Sequence, residues 1–150
     1  MIDASNLANM VEELCNRFGG KLREAPEEEI VCRISFTSPQ QAQSVFQDVS
    51  EYLAKKLGFE KTGLGTQFRL SKTTNSGFME AGINVGNAYG YITKALEIRY
   101  AKDAFGKPFL ELTPITKKGR GCTLYLGINT LGVYCEKNGC YASAEGCLWY

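Results

Sequence analysis

Apolar positions in the first third of the chain recur at two periods. Leu7, Met10, Val11, Leu14, Cys15 and Phe18 fall at helical spacing, with Asp3 or Ser5 available as a cap and Gly19-Gly20 as a stop, which predicts an amphipathic helix. Ile30, Cys32, Ile34 and Phe36 then alternate with Val31, Arg33 and Ser35 after the acidic turn Glu27-Glu28-Glu29, the pattern of a strand buried on one face. Ser38-Pro39-Gln40-Gln41 places a capping hydroxyl, a first-turn proline and a glutamine in the order a helix start requires. The stripe Ala42, Val45, Phe46, Val49, Tyr52, Leu53 and Leu57 follows, closed by Gly58, and predicts a second helix lying flat on a sheet.

Beyond Gly63-Leu64-Gly65 helical periodicity gives way to short alternating runs divided by Gly, Asn and Pro, the pattern of an antiparallel meander. Strands are predicted near 66–72, 78–85, 91–101, 108–115, 121–128, 132–137 and 140–145. With no internal repeat or low-complexity linker, the expectation is one α+β domain over residues 1–150. Two helices should pack on one face of a predominantly antiparallel β-sheet, in the order helix, strand, helix, meander.

Asn138-Gly139 between alternating runs signals a two-residue hairpin. That turn pairs Lys137 with Cys140 and Tyr134 with Ser143, and a four-residue loop at 129–132 then pairs Ile128 with Val133 and Gly127 with Tyr134. One face carries Leu124, Leu126, Ile128, Val133, Cys135, Cys140, Ala142 and Ala144 and is expected to be the core side. The other carries Thr123, Tyr125, Gly127, Tyr134, Glu136, Tyr141 and Ser143, a polar side bearing three tyrosines.

Composition narrows the chemistry. Histidine is absent, which removes the commonest general base and metal ligand at neutral pH. No segment approaches the roughly 18 unbroken apolar residues of a membrane span, so no membrane partner is expected. The first residues, Met1-Ile2-Asp3-Ala4-Ser5-Asn6, lack the basic start and apolar run of a signal peptide, so a cytoplasmic location and six free thiols are expected. The net charge of +1 conceals a split between a first part, residues 1–60, at about −4 and the remainder at about +5.

The cysteines Cys122, Cys135, Cys140 and Cys147 lack the tight knuckle spacing of a structural zinc site, so no metal is assigned. Cys122 follows Lys117, Lys118 and Arg120, the one place where nearby cations could activate a thiolate. Glu97 and Glu111 could form a carboxylate pair, but Arg99 and Lys94 make surface ion pairing the simpler account. Gly63-Leu64-Gly65 enters a strand rather than a helix, the reverse of a phosphate-binding loop, and Gly77, Gly82, Gly86 and Gly90 read as bulges and a turn.

The combination that remains is Lys117, Lys118 and Arg120 leading into the face of Tyr125, Tyr134 and Tyr141. Cations beside planar rings suit a protein hot spot or single-stranded nucleic acid. The leading expectation is a non-catalytic binding protein, an accessory or inhibitory factor with a protein partner and no cofactor. The alternatives are a nucleic-acid or nucleotide binder, and an enzyme working through carboxylate, Lys, Tyr or Cys.

Overall fold

The computed structural model describes residues 4–25, 28–63, 67–84, 93–116, 119–134, 140–143 and 146–149. The elements begin with α1 (Ala4–Arg17), β1 (Lys21–Ala25), β2 (Glu29–Ser35) and α2 (Pro39–Leu57). Three strands follow in β3 (Glu60–Lys61), β4 (Gln67–Thr74) and β5 (Gly77–Asn84), then β6 (Thr93–Lys102), β7 (Pro108–Thr116) and β8 (Gly119–Arg120). The last four are β9 (Thr123–Leu126), β10 (Leu131–Tyr134), β11 (Cys140–Ser143) and β12 (Gly146–Trp149).

Both helices form where cap chemistry and the apolar stripe agree. Ser38 sits in extended backbone and its hydroxyl accepts from the Gln41 amide at 3.1 Å, while the Gln41 side chain accepts from the Thr37 amide at 2.7 Å. α2 stops at Gly58, whose φ of 76° turns the chain left-handed. α1 ends with the Gly20 amide donating to the Cys15 carbonyl and the Gly19 amide to that of Asn16, the pair of bonds that closes a helix C-terminus. All seven predicted stripe residues of α2 are buried, as are Leu7, Met10, Val11, Leu14 and Cys15 of α1.

The main sheet runs in the order β1-β2-β6-β7-β9-β10, with β8 paired to β7, and every pairing is antiparallel. β3-β4-β5 form a second sheet and β11-β12 a third. α1 packs on β2, β6 and β7, while α2 bridges β6 to β3 and β4. Between helices and sheet lie Cys32, Ile34, Leu96, Ile98, Leu110, Leu112, Leu124 and Leu126, alternate residues of four strands. Lys72 joins three parts of this frame: its ammonium donates to the carbonyls of Leu57 and Ile128, both at 3.2 Å, and lies 5.2 Å from the Phe59 ring centroid.

Two expectations are corrected. The order is α-β-β-α before the remaining strands, because Lys21–Ala25 pairs with β2 as an edge strand. Its run of Lys, Arg and Glu is the kind of charge that guards a sheet edge and hides the alternation. The β9-β10 register differs from expectation, since Leu126 pairs with Leu131 and Tyr134 with Thr123 rather than with Gly127. The loop is 127–130, closed by the Gly127 amide donating to the Thr130 carbonyl, which leaves Ile128 exposed outside the strand. The displacement of four residues is even, so the faces keep their identities. β11 pairs with β12, Tyr141 opposite Leu148, while the hairpin expected at Asn138-Gly139 lies outside the described residues.

The thiol expectation is also corrected. Cys15 and Cys32 form a disulfide with Cα atoms 5.6 Å apart, and Cys122 is disulfide-bonded as well, so Cys122 is not a thiolate nucleophile. Cys15 lies on the apolar side of α1 and Cys32 on the helix-facing side of β2, so packing the two elements brings the sulfurs together. Gly20 completes the fit, because a Cβ built there would lie 2.8 Å from both sulfurs.

Candidate functional site

The sheet face opposite the helices gathers most of the described candidate residues, and strand register sets their order. One row crosses five strands as Val31, Arg99, Glu111, Tyr125 and Gly132. The next row is Arg33, Glu97, Thr113, Thr123 and Tyr134. Tyr125 and Tyr134 therefore lie on adjacent strands and on one face, as the alternation implies. Much of this face is buried: Ala95, Thr113 and Thr123 are each at most 3% exposed, and Val31, Phe109 and Glu111 are buried as well.

The charges are interlocked. The Arg99 guanidinium contacts the carboxylate of Glu111 and that of Glu29, the latter at 2.5 Å. The bond to Glu29 raises the Arg99 pKa, and the same bond holds the Glu29 carboxyl below the usual carboxylate range. Glu97 is flanked by Arg120 at 2.7 Å and Arg33 at 3.8 Å. The charge split along the chain is thus largely spent internally, since Glu29 and Glu28 of the acidic part meet Arg99 and Lys102 of the basic part. Glu97 and Glu111 each pair with arginines, in line with the simpler expectation for them.

Aromatic rings continue this arrangement. Phe109 stacks on Tyr125 with centroids 4.8 Å apart and an interplanar angle of 26°, and the Arg99 guanidinium lies 5.7 Å from the Phe109 centroid. Burial pushes the Tyr125 phenol pKa up, and the nearby Asp103 and Glu111 carboxylates push it the same way.

Of the six residues singled out from sequence, Arg120, Tyr125 and Tyr134 are brought to this face. Tyr141 is in the separate β11-β12 sheet, and Lys117 and Lys118 lie outside the described residues. Sequence reasoning missed Phe109, and took Arg99 and Glu97 only as surface charges. Pairing 93–102 with 108–116 around the turn Asp103 to Lys107 would have put Arg99, Glu111 and Tyr125 in one row.

A groove of about 390 Å³ runs between the helices, lined among others by Glu13, Arg17, Asp48 and Tyr52. Its groups serve one another: the Tyr52 phenol donates to Glu13 at 2.6 Å, and Arg17 and Lys56 approach the Tyr52 ring centroid at 5.1 and 5.7 Å. Burial, reinforced by the bond to Glu13, raises the Tyr52 pKa. This is the chemistry of a helix-helix joint. Among the described residues no group of three His, Cys, Asp or Glu could hold a metal ion, and no helix is long and apolar enough to cross a membrane. No protein-family model, curated protein or solved structure matches the chain.

Proposed function

We propose that this chain is a non-catalytic binding protein whose second sheet face contacts a protein partner. The observation that carries this reading is the interlocking of Arg99, Arg120 and Arg33 with Glu29, Glu111 and Glu97 around the stacked Phe109 and Tyr125. Guanidinium groups already held by carboxylates are poor phosphate ligands, because each phosphate must displace a carboxylate. The same arrangement suits a protein: rings and arginines fixed in advance cost little entropy to immobilise, and Tyr and Arg are the residues enriched at hot spots.

We infer an oxidising compartment from the disulfides. Cys15–Cys32 and the bonded Cys122 favour an oxidising environment over the expected cytoplasm. Counting cystines by mass spectrometry in protein taken from its native source tests this, and six free thiols would reverse it.

The function is tested by affinity recovery from the native source, analysed for protein and for nucleic acid, followed by titration of the purified partner. A protein should be recovered, and a joint Tyr125→Ala, Tyr134→Ala variant should bind at least about tenfold more weakly, while added salt mainly slows association. Recovery of nucleic acid with affinity falling steeply with salt would support the alternative instead.

A further inference from the structure

The hairpin of β6 and β7 is longer than the sheet around it. β2 pairs with β6 only from Ala95 to Tyr100, and β9 pairs with β7 only from Leu110 to Leu112. Ala101 to Phe109 therefore extends beyond the paired stretch of both neighbours. It carries two further residue pairs, Ala101 with Phe109 and Lys102 with Pro108, and then the turn Asp103 to Lys107. Ala101 and Phe109 are buried at the base of this finger, so its exposed part is the turn from Lys102 to Lys107. At its tip Phe105 is 88% exposed, the most exposed large apolar side chain among the described residues.

The tip is held in shape. The Asp103 carboxylate accepts from the amides of Phe105 at 2.8 Å and Lys107 at 2.9 Å. The Asp103 amide donates to the Lys107 carbonyl at 2.9 Å, and the Gly106 amide to the Asp103 carbonyl at 3.0 Å. Phe109, at the base of the finger, stacks on Tyr125, which ties the finger to the sheet face.

Resting on the protein-contact reading above, we infer that Phe105 is the anchor of that contact, inserted by the finger into an apolar cleft of a folded protein partner. A pre-shaped turn ending in one exposed ring complements a concave receptor, and a turn backbone held beforehand loses little freedom on binding. Charge points the same way. Lys102 is neutralised by Glu28 at 2.9 Å, and Asp103 offsets Lys107, so the finger has no net cation to draw it to an anionic lipid surface. The matching cleft is apolar within and near neutral at its rim.

The test places the photoreactive analogue p-benzoylphenylalanine at position 105 of the full chain. It is cross-linked to the partner recovered by the native protein, and that purified partner is titrated with variants. Phe105→Ala should keep the wild-type urea midpoint, since the side chain touches little, yet lose at least about thirtyfold in affinity. Phe105→Leu should retain most binding and Leu22→Ala, an exposed control, all of it. Cross-links should map to an apolar cleft of the partner. A partner that binds Phe105→Ala as tightly as wild type overturns the anchor while leaving the contact reading intact. Recovery of no partner overturns both. Phe105-dependent flotation with vesicles of phosphatidylcholine and phosphatidylglycerol, without a protein cross-link, would replace the cleft by a lipid surface.

Discussion

Arg99 and Glu111 face each other directly across β6 and β7, and their ion pair lies where the Glu111 side chain is 9% exposed. Arg99 is still 31% exposed, so the cost of losing it is set by Glu111, which would be left nearly buried without the guanidinium that faces it. Arg99→Met should therefore destabilise by roughly 2 to 4 kcal/mol in urea denaturation. The double change Arg99→Met with Glu111→Leu should recover much of that. If the double variant is no better than the single, the charge on Glu111 is not what the guanidinium compensates.

Acid should act through Glu29. Its folded pKa is depressed by the bond to Arg99, so its contribution is complete above the unfolded carboxylate pKa near 4.3 and is lost as pH falls through the folded value. Wild type should exceed Glu29→Gln in stability at pH 6, and the gap should narrow steadily below about pH 4.3. Parallel stability curves across that range would remove Glu29 from the acid response.

The buried disulfide and Gly20 form one packing unit. Joint Cys15→Ala and Cys32→Ala should cost about 3 kcal/mol from the freed loop. Gly20→Ala should cost roughly 1 to 3 kcal/mol in the oxidised protein, where its methyl meets both sulfurs, and less once the sulfurs are removed. Equal penalties in both backgrounds would assign the strain to the Arg33 carbonyl, 3.0 Å away, instead.

Phe46→Ala should destabilise by roughly 3 to 5 kcal/mol, because the ring is 2% exposed and packs against Phe36 and Phe68. Exposed Gln47, one residue on, should tolerate change within about 0.5 kcal/mol. An unchanged midpoint for Phe46→Ala would mean that α2 does not cover the core.

The helices were legible because two independent signals coincide in each, an apolar stripe and a glycine stop, with a cap as well at the start of α2. The assignment of faces in β9 and β10 was legible too, since alternation survives an even slide of register. The register itself was not, because the loop at 127–130 is selected by Leu126 and Leu131 reaching the core together. β1 was hidden by the charges that protect its edge. The Cys15–Cys32 bond was hidden because its partners are set by packing between elements, while the free-thiol expectation came from compartment alone. Of the candidate face, the tyrosines could be seen in the alternation of single strands. The Arg99, Glu29 and Phe109 ladder could not, because it exists only across strands distant in sequence.

The central claim is that the face bearing Tyr125 and Tyr134 is covered by a protein partner. Hydroxyl-radical footprinting reads it at the side chains, with the full chain labelled alone and in complex and each residue's oxidation compared. Tyr125, Tyr134 and Phe105 should lose most of their reactivity in the complex, while Met79 and Leu22, away from that face, keep theirs. Unchanged labelling of Tyr125 and Tyr134 in a saturated complex, with protection moved to the groove between α1 and α2, would contradict the account.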